Sequence, residues 1–181
     1  MSWQENIRLL WTDHLVWLRH FLISLMFRLR DLSYVMIRIM QNTIDFSGQL
    51  TPFYGLDNTK RYEALLAEHI LLLAELASTI KIGFDISMQL SKMQKNADDT
   101  AALFSELNPY WTQAAWQAML YTQYQLEEQL IRQINQDKFS ASISIYDAMY
   151  QNALNMAAYM IDGITVQFPQ YAYPTGTAIM P

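Results

Sequence analysis

The 181-residue chain contains no cysteine. Disulfides, thiolate catalysis and cysteine-ligated zinc or iron–sulfur centres are therefore excluded. Charged residues make up only 16%, against about 25% in an average chain. Hydrophobic residues reach 52%, so the expectation is buried helices with little solvated surface, or a surface partly covered by a partner. With a net charge of −5, no face collects enough Lys and Arg to neutralise phosphates, and nucleic acid is not an expected partner. Nor does any glycine-rich phosphate loop, G-x-S-x-G elbow or H-E-x-x-H motif occur, which disfavours nucleotide-dependent and serine-type chemistry. The greasiest window, Leu15 to Leu29, is interrupted by Arg19, His20 and Arg28. It falls short of the roughly 18 uninterrupted apolar residues of a membrane span. The opening Met1-Ser2-Trp3-Gln4-Glu5 lacks a basic n-region and reads as a capping box. A cytoplasmic protein is expected.

Five glycines and five prolines punctuate long periodic segments, and polar/apolar alternation never persists. The spacing predicts an all-α, up-and-down bundle of about six helices near 3–29, 32–51, 58–81, 86–107, 112–135 and 139–167. From residue 169 onward the chain reads as an extended or disordered tail. Arg61 to Leu76 is apolar on nearly every side, as suits a helix buried among others, yet carries Glu68-His69 at its centre. The last helix shows a core stripe of Ile143, Met149, Ala153, Met156, Met160 and Ile164.

Shifting the chain by 54 residues lays Asp31 on Asp85, Asn42 on Asn96, Asp45 on Asp99, Tyr62 on Trp116 and His69 on Gln123. A shift of 55 lays Leu10 on Leu65 and His14 on His69. Three helical hairpins account for this, with Asp31, Asp85 and Asp137 as N-caps of the second helices. His14 lies 17 residues before its turn and Asp45 lies 14 after; His69 and Asp99 repeat the pattern at 16 and 14. At 1.5 Å per residue the histidines stand about 25 Å and the carboxylates about 21 Å from the turns, nearly one height.

If all four side chains face inward, His14, Asp45, His69 and Asp99 form a two-histidine, two-carboxylate cluster suited to iron, manganese or zinc, with Asn42 and Asn96 behind them. The same repeat is explained without metal by one buried His–Asp pair in each hairpin. Asn96-Ala97-Asp98-Asp99 also reads as a capping box that restarts a helix. His20 belongs at the surface or a helix seam, and Glu127-Glu128, although level with Gln123, on a solvated face. If the pairs are purely structural, the protein is a non-catalytic interaction protein, either a homo-oligomer or part of a larger assembly.

The run Trp11-x-x-His14-x-x-Trp17, Asn42-x-x-Asp45-Phe46, Tyr54-Gly55, Leu65-Leu66-x-x-His69, Asn96-Ala97-Asp98, Asn108-Pro109-x-Trp111 and Gln167-Phe168-Pro169 resembles a group of small all-helical bacterial proteins, over residues 9–169. Some of them carry the name acetylglutamate kinase. An amino-acid kinase needs an α/β fold with glycine-rich loops, which these residues do not provide. The architecture is also similar, more distantly, to ferritin-like metal-binding bundles. The resemblance implies a histidine where Gln123 stands, leaving this chain one possible ligand fewer.

Overall fold

The computed structural model describes residues 2–171. The expected tail lies outside the described residues from position 172. Its first three residues, Pro169–Tyr171, form a 3₁₀ turn whose Tyr171 carbonyl accepts from Trp3 Nε1 at 2.9 Å.

Six helices follow one another: α1 Trp3–Phe27, α2 Leu32–Tyr54, α3 Leu56–Ile82, α4 Ser87–Leu107, α5 Gln113–Asn135 and α6 Phe139–Gln167. The start of α1 is the capping box, with Ser2 accepting from the Glu5 amide and Glu5 accepting from the Ser2 amide. Helix α2 runs past Pro52 to Tyr54, because a proline this near a helix end breaks little of the ladder behind it. Helix α4 is continuous through Asn96, so the expected restart there is not present.

At one end of the bundle the three turns share one construction. Arg28, Gly83 and Asp137 each sit at positive φ, and the amides of each of them and of the following residue return to carbonyls of the helix just finished. This is the Schellman closure, which satisfies the last orphan carbonyls. The turn aspartates do not cap as expected. Asp31 accepts from the Ser24 hydroxyl, Asp85 from the Ser87 hydroxyl, and Asp137 serves as the left-handed residue ending α5.

Helices α1, α3 and α5 touch one another at the centre. Around them α2 lies against α1 and α3, α4 against α3 and α5, and α6 against α5 and α1, closing the ring. The central position of α3 explains its all-round apolarity. On α6 the stripe Met149, Ala153, Met156, Met160 and Ile164 is buried, whereas Ile143, nearer the turn, is 54% exposed.

Toward the end where α1 begins and α6 finishes, aromatic rings fill the interior, with Trp11, Phe46, Tyr62, Phe104, Trp111 and Trp116 in successive contact. Gly163 lets α6 approach this cluster. A Cβ there would fall 2.0 Å from the Trp111 indole nitrogen, which donates to the Tyr159 carbonyl.

Candidate functional site

The three inner helices bring polar side chains into an otherwise apolar layer. His14 on α1 and His69 on α3 are each 3% exposed, with ring centroids 6.1 Å apart. From α5 come Gln123, Tyr124 and a fully buried Glu127. Each outer helix adds one asparagine, whose Nδ2 donates across its hairpin to a main-chain carbonyl: Asn42 to Leu10, Asn96 to Leu65 and Asn152 to Met119. Those carbonyls lie four residues before His14, His69 and Gln123. In a helix a carbonyl at that position normally accepts from the amide four residues on, so the asparagine uses its second lone pair.

These bonds fix the orientation of the rest. Because Asn42 Nδ2 must donate, its Oδ1 faces His14 Nδ1 at 2.9 Å and can only accept. His14 therefore carries a proton on Nδ1. Burial, then the neighbouring His69, holds its pKa down at about 4, so the ring is neutral at pH 7 and Nε2 presents a lone pair. In the third hairpin Asn152 Nδ2 also donates to Gln123 Oε1, leaving Gln123 Nε2 to donate to Glu127 Oε1 at 3.2 Å. The other Glu127 oxygen meets His69 Nε2 at 2.8 Å. The Tyr124 ring stacks on His69 at 4.3 Å and 6°, and its hydroxyl donates to Asn96 Oδ1 at 2.8 Å. Burial raises the Tyr124 pKa well above its usual value, which keeps the hydroxyl a donor.

A cavity of about 20 Å³ adjoins this network, lined among others by Trp11, His14, Tyr62, His69, Gln123 and Glu127. That is room for one water-sized guest. Trp11 Nε1 and Tyr62 Oη are buried without a hydrogen-bond partner, and burial pushes the Tyr62 pKa upward so that it too stays protonated.

The two predicted carboxylates do not join. Asp45 is exposed, accepting from Gln41 at 3.0 Å and lying 4.0 Å from Arg38; Asp99 is exposed and pairs with Lys95 at 2.6 Å. Three residues advance a helix by about 300°, so a residue three past a fully buried asparagine is rotated to the rim. There the carboxylate reaches water and a cation instead of paying for desolvation. Asn42 is the direct partner of His14 instead, whereas Asn96 bonds the Leu65 carbonyl, Glu68 and Tyr124 and leaves His69 to Glu127. Glu127, expected on a solvated face, is the buried carboxylate of the site, while Glu128 pairs with Arg132 at 2.7 Å. His20 is exposed, with its Nδ1 at the Val16 carbonyl. Tyr124 and Asn152 carry no spacing signal of their own, whereas the Gln123-x-x-x-Glu127 spacing, one helical turn, sets Glu127 on the buried face of Gln123.

Among the described residues no three of His, Asp and Glu are gathered closely enough to hold a metal ion. The cavity wall also carries an indole and a phenol whose donors are unpartnered, and these suit a hydrogen-bond acceptor better than a cation. No helix of the described residues is long and apolar enough to cross a membrane. No family model matches the chain, no curated protein matches it in sequence and no solved structure matches it in fold.

Proposed function

We propose that the buried polar layer is a registry device, and that the protein is a non-catalytic interaction protein whose work is done at its surface. The observation that carries this is the bonding pattern: Asn42, Asn96, Asn152, Gln123, Glu127 and one nitrogen of each histidine bond to one another, to Glu68 and Tyr124, and to three main-chain carbonyls. Such bonds are lost if one helix slides or turns against its neighbour, so they select one register among the many an apolar bundle tolerates. We infer further that the hairpins are three copies of one unit, since each places an asparagine on the carbonyl four residues before the inner polar residue. The likeness to ferritin-like bundles rests on helical class alone.

A second reading keeps the metal. It is favoured by the His14 ring, whose Nδ1 proton is held by Asn42 so that Nε2 offers its lone pair, as metal-ligating histidines are commonly held. His69 and Glu127, now bonded to each other, would have to part and move toward His14 to supply the remaining nitrogen and oxygen to iron, manganese or zinc. Elemental analysis of protein purified without an affinity tag, with thermal unfolding before and after addition of Zn²⁺, Mn²⁺ or Fe²⁺, separates the two. The registry reading expects no stoichiometric metal and an unchanged melting temperature. One equivalent of metal, lost in both His14→Ala and Glu127→Ala, overturns it in favour of the second.

A further inference from the structure

At the turn end of the bundle all three turns expose large apolar side chains. Phe27 and Leu29 of the first turn are each 44% exposed, Ile82 and Phe84 of the second 63% and 71%, and Phe139 of the third 47%. A Schellman turn ordinarily tucks the apolar residue after its left-handed position against the helix it ends. Leu29 and Phe84 occupy that position and remain largely in solvent. Phe27 and Phe139 meet at 6.1 Å between ring centroids, and Lys81 Nζ donates to the Met26 carbonyl, so the three turns form one continuous end. Between the first two turns lies a hollow of about 310 Å³, lined by Leu29, Leu32 and Ile82 with Arg28 and Lys81. Between the second and third lies one of about 290 Å³, lined by Phe84 and Ile86 with Arg132.

The charges point the same way. Arg28, Arg30, Lys81, Arg132 and Lys138 stand at this end against Asp31, Asp85, Asp137 and the Glu128 that pairs with Arg132, in a chain whose net charge is −5. Two of these carboxylates are partly satisfied by serine hydroxyls. The molecule, acidic as a whole, therefore carries a net excess of one positive charge at the end where all three turns expose phenylalanine, leucine or isoleucine.

We propose that this end docks on an anionic lipid surface, with Phe27, Leu29, Ile82, Phe84 and Phe139 entering the headgroup boundary and the cations against lipid phosphates. Side chains that project from three separate turns, with hollows between them, suit a deformable bilayer; a rigid protein groove would have to match three tips at once. Cations beside apolar tips supply the two signals that peripheral attachment needs. The docking is independent of what fills the core, since no residue of the polar layer takes part.

Co-sedimentation of the full chain with phosphatidylserine-containing vesicles and with pure phosphatidylcholine vesicles tests it. Binding is expected to the anionic vesicles and to weaken with salt. Each of Arg30→Ala and Lys138→Ala should weaken it about five-fold, from roughly 1 kcal/mol per cation near the surface. Phe84→Ser should weaken it about ten-fold or more. All three positions are exposed, and circular dichroism checks that the variants fold. No binding to anionic vesicles, equal binding to both vesicle types, or full binding by Phe84→Ser overturns the proposal. So does a concentration-dependent dimer abolished by Phe84→Ser, which would assign this end to a second copy of the chain. Metal found in the core would overturn the registry reading and leave this result untouched.

Discussion

Removing the Glu127 carboxylate leaves the His69 Nε2 proton and the Gln123 amide buried without an acceptor. Leaving a buried donor without its acceptor costs about 1–3 kcal/mol each, and Glu127→Ala should lose stability on that scale in urea unfolding. Asn96→Ala deprives Tyr124 Oη of its acceptor and the Leu65 carbonyl of its second donor, at a cost of about 1–3 kcal/mol. Asp45→Ala and Asp99→Ala, each three residues past a buried asparagine but exposed at the rim, should leave the unfolding midpoint unchanged. His14 gives the layer a pH dependence. Its pKa falls from 6.5 in the unfolded chain to about 4 in the folded one. Between those values the unfolded chain binds the extra proton, so stability falls as pH drops from 6.5 toward 4 and levels below it, by up to about 3 kcal/mol. In His14→Gln that portion of the stability-against-pH curve should flatten. An unchanged slope would mean that the folded ring takes up its proton as readily as the unfolded one.

Among the elements, α6 depends most on a single small residue. Gly163 is the point where the N–H edge of the Trp111 indole meets the helix backbone, and Trp111 is 1% exposed with its nitrogen donating to the Tyr159 carbonyl. An added methyl cannot be accommodated by rotating a ring so enclosed, so Gly163→Ala should cost about 1–3 kcal/mol as overpacking, although alanine favours the helix. Thermal unfolding, with Trp111 fluorescence as a local probe, reads both the loss and its place. The elements themselves were legible in the sequence, since 3.6-residue periodicity and sparse Gly and Pro set helix ends to within a few residues. Repeat spacing also brought His14 and His69 to one height. What periodicity left open was the rotation of each helix about its axis. An offset of three residues lies only about 60° around the barrel, and that angle divides Asn42, at the centre of the buried face, from Asp45 at its rim. The aspartates do not cap because the Schellman turns fix the chain's path: Asp31 and Asp85 accept from nearby serine hydroxyls, and Asp137 is itself the left-handed residue.

For the molecule as a whole, the ring of contacts decides how it comes apart. Each outer helix bridges two inner ones, and α6 returns to α1, so no hairpin can leave without exposing apolar surface on both neighbours. The polar layer adds to this, because its bonds cross from hairpin to hairpin: His69 of the second is held by Glu127 of the third, and Tyr124 of the third by Asn96 of the second. A bundle of three independently stable hairpins would unfold in steps. This one should unfold in a single transition, with far-ultraviolet circular dichroism and tryptophan fluorescence coincident, as in cooperative domains of comparable size. Native-state hydrogen exchange sharpens the test. The slowest amides should lie at mid-height on α1, α3 and α5 together, exchanging at one free energy, with the outward faces of α2, α4 and α6 exchanging earlier. Glu127→Ala should lower that common free energy for all three inner helices. If instead α5 and α6 alone lost protection, the second and third hairpins would be joined by packing only, and the bonds between them would set no register.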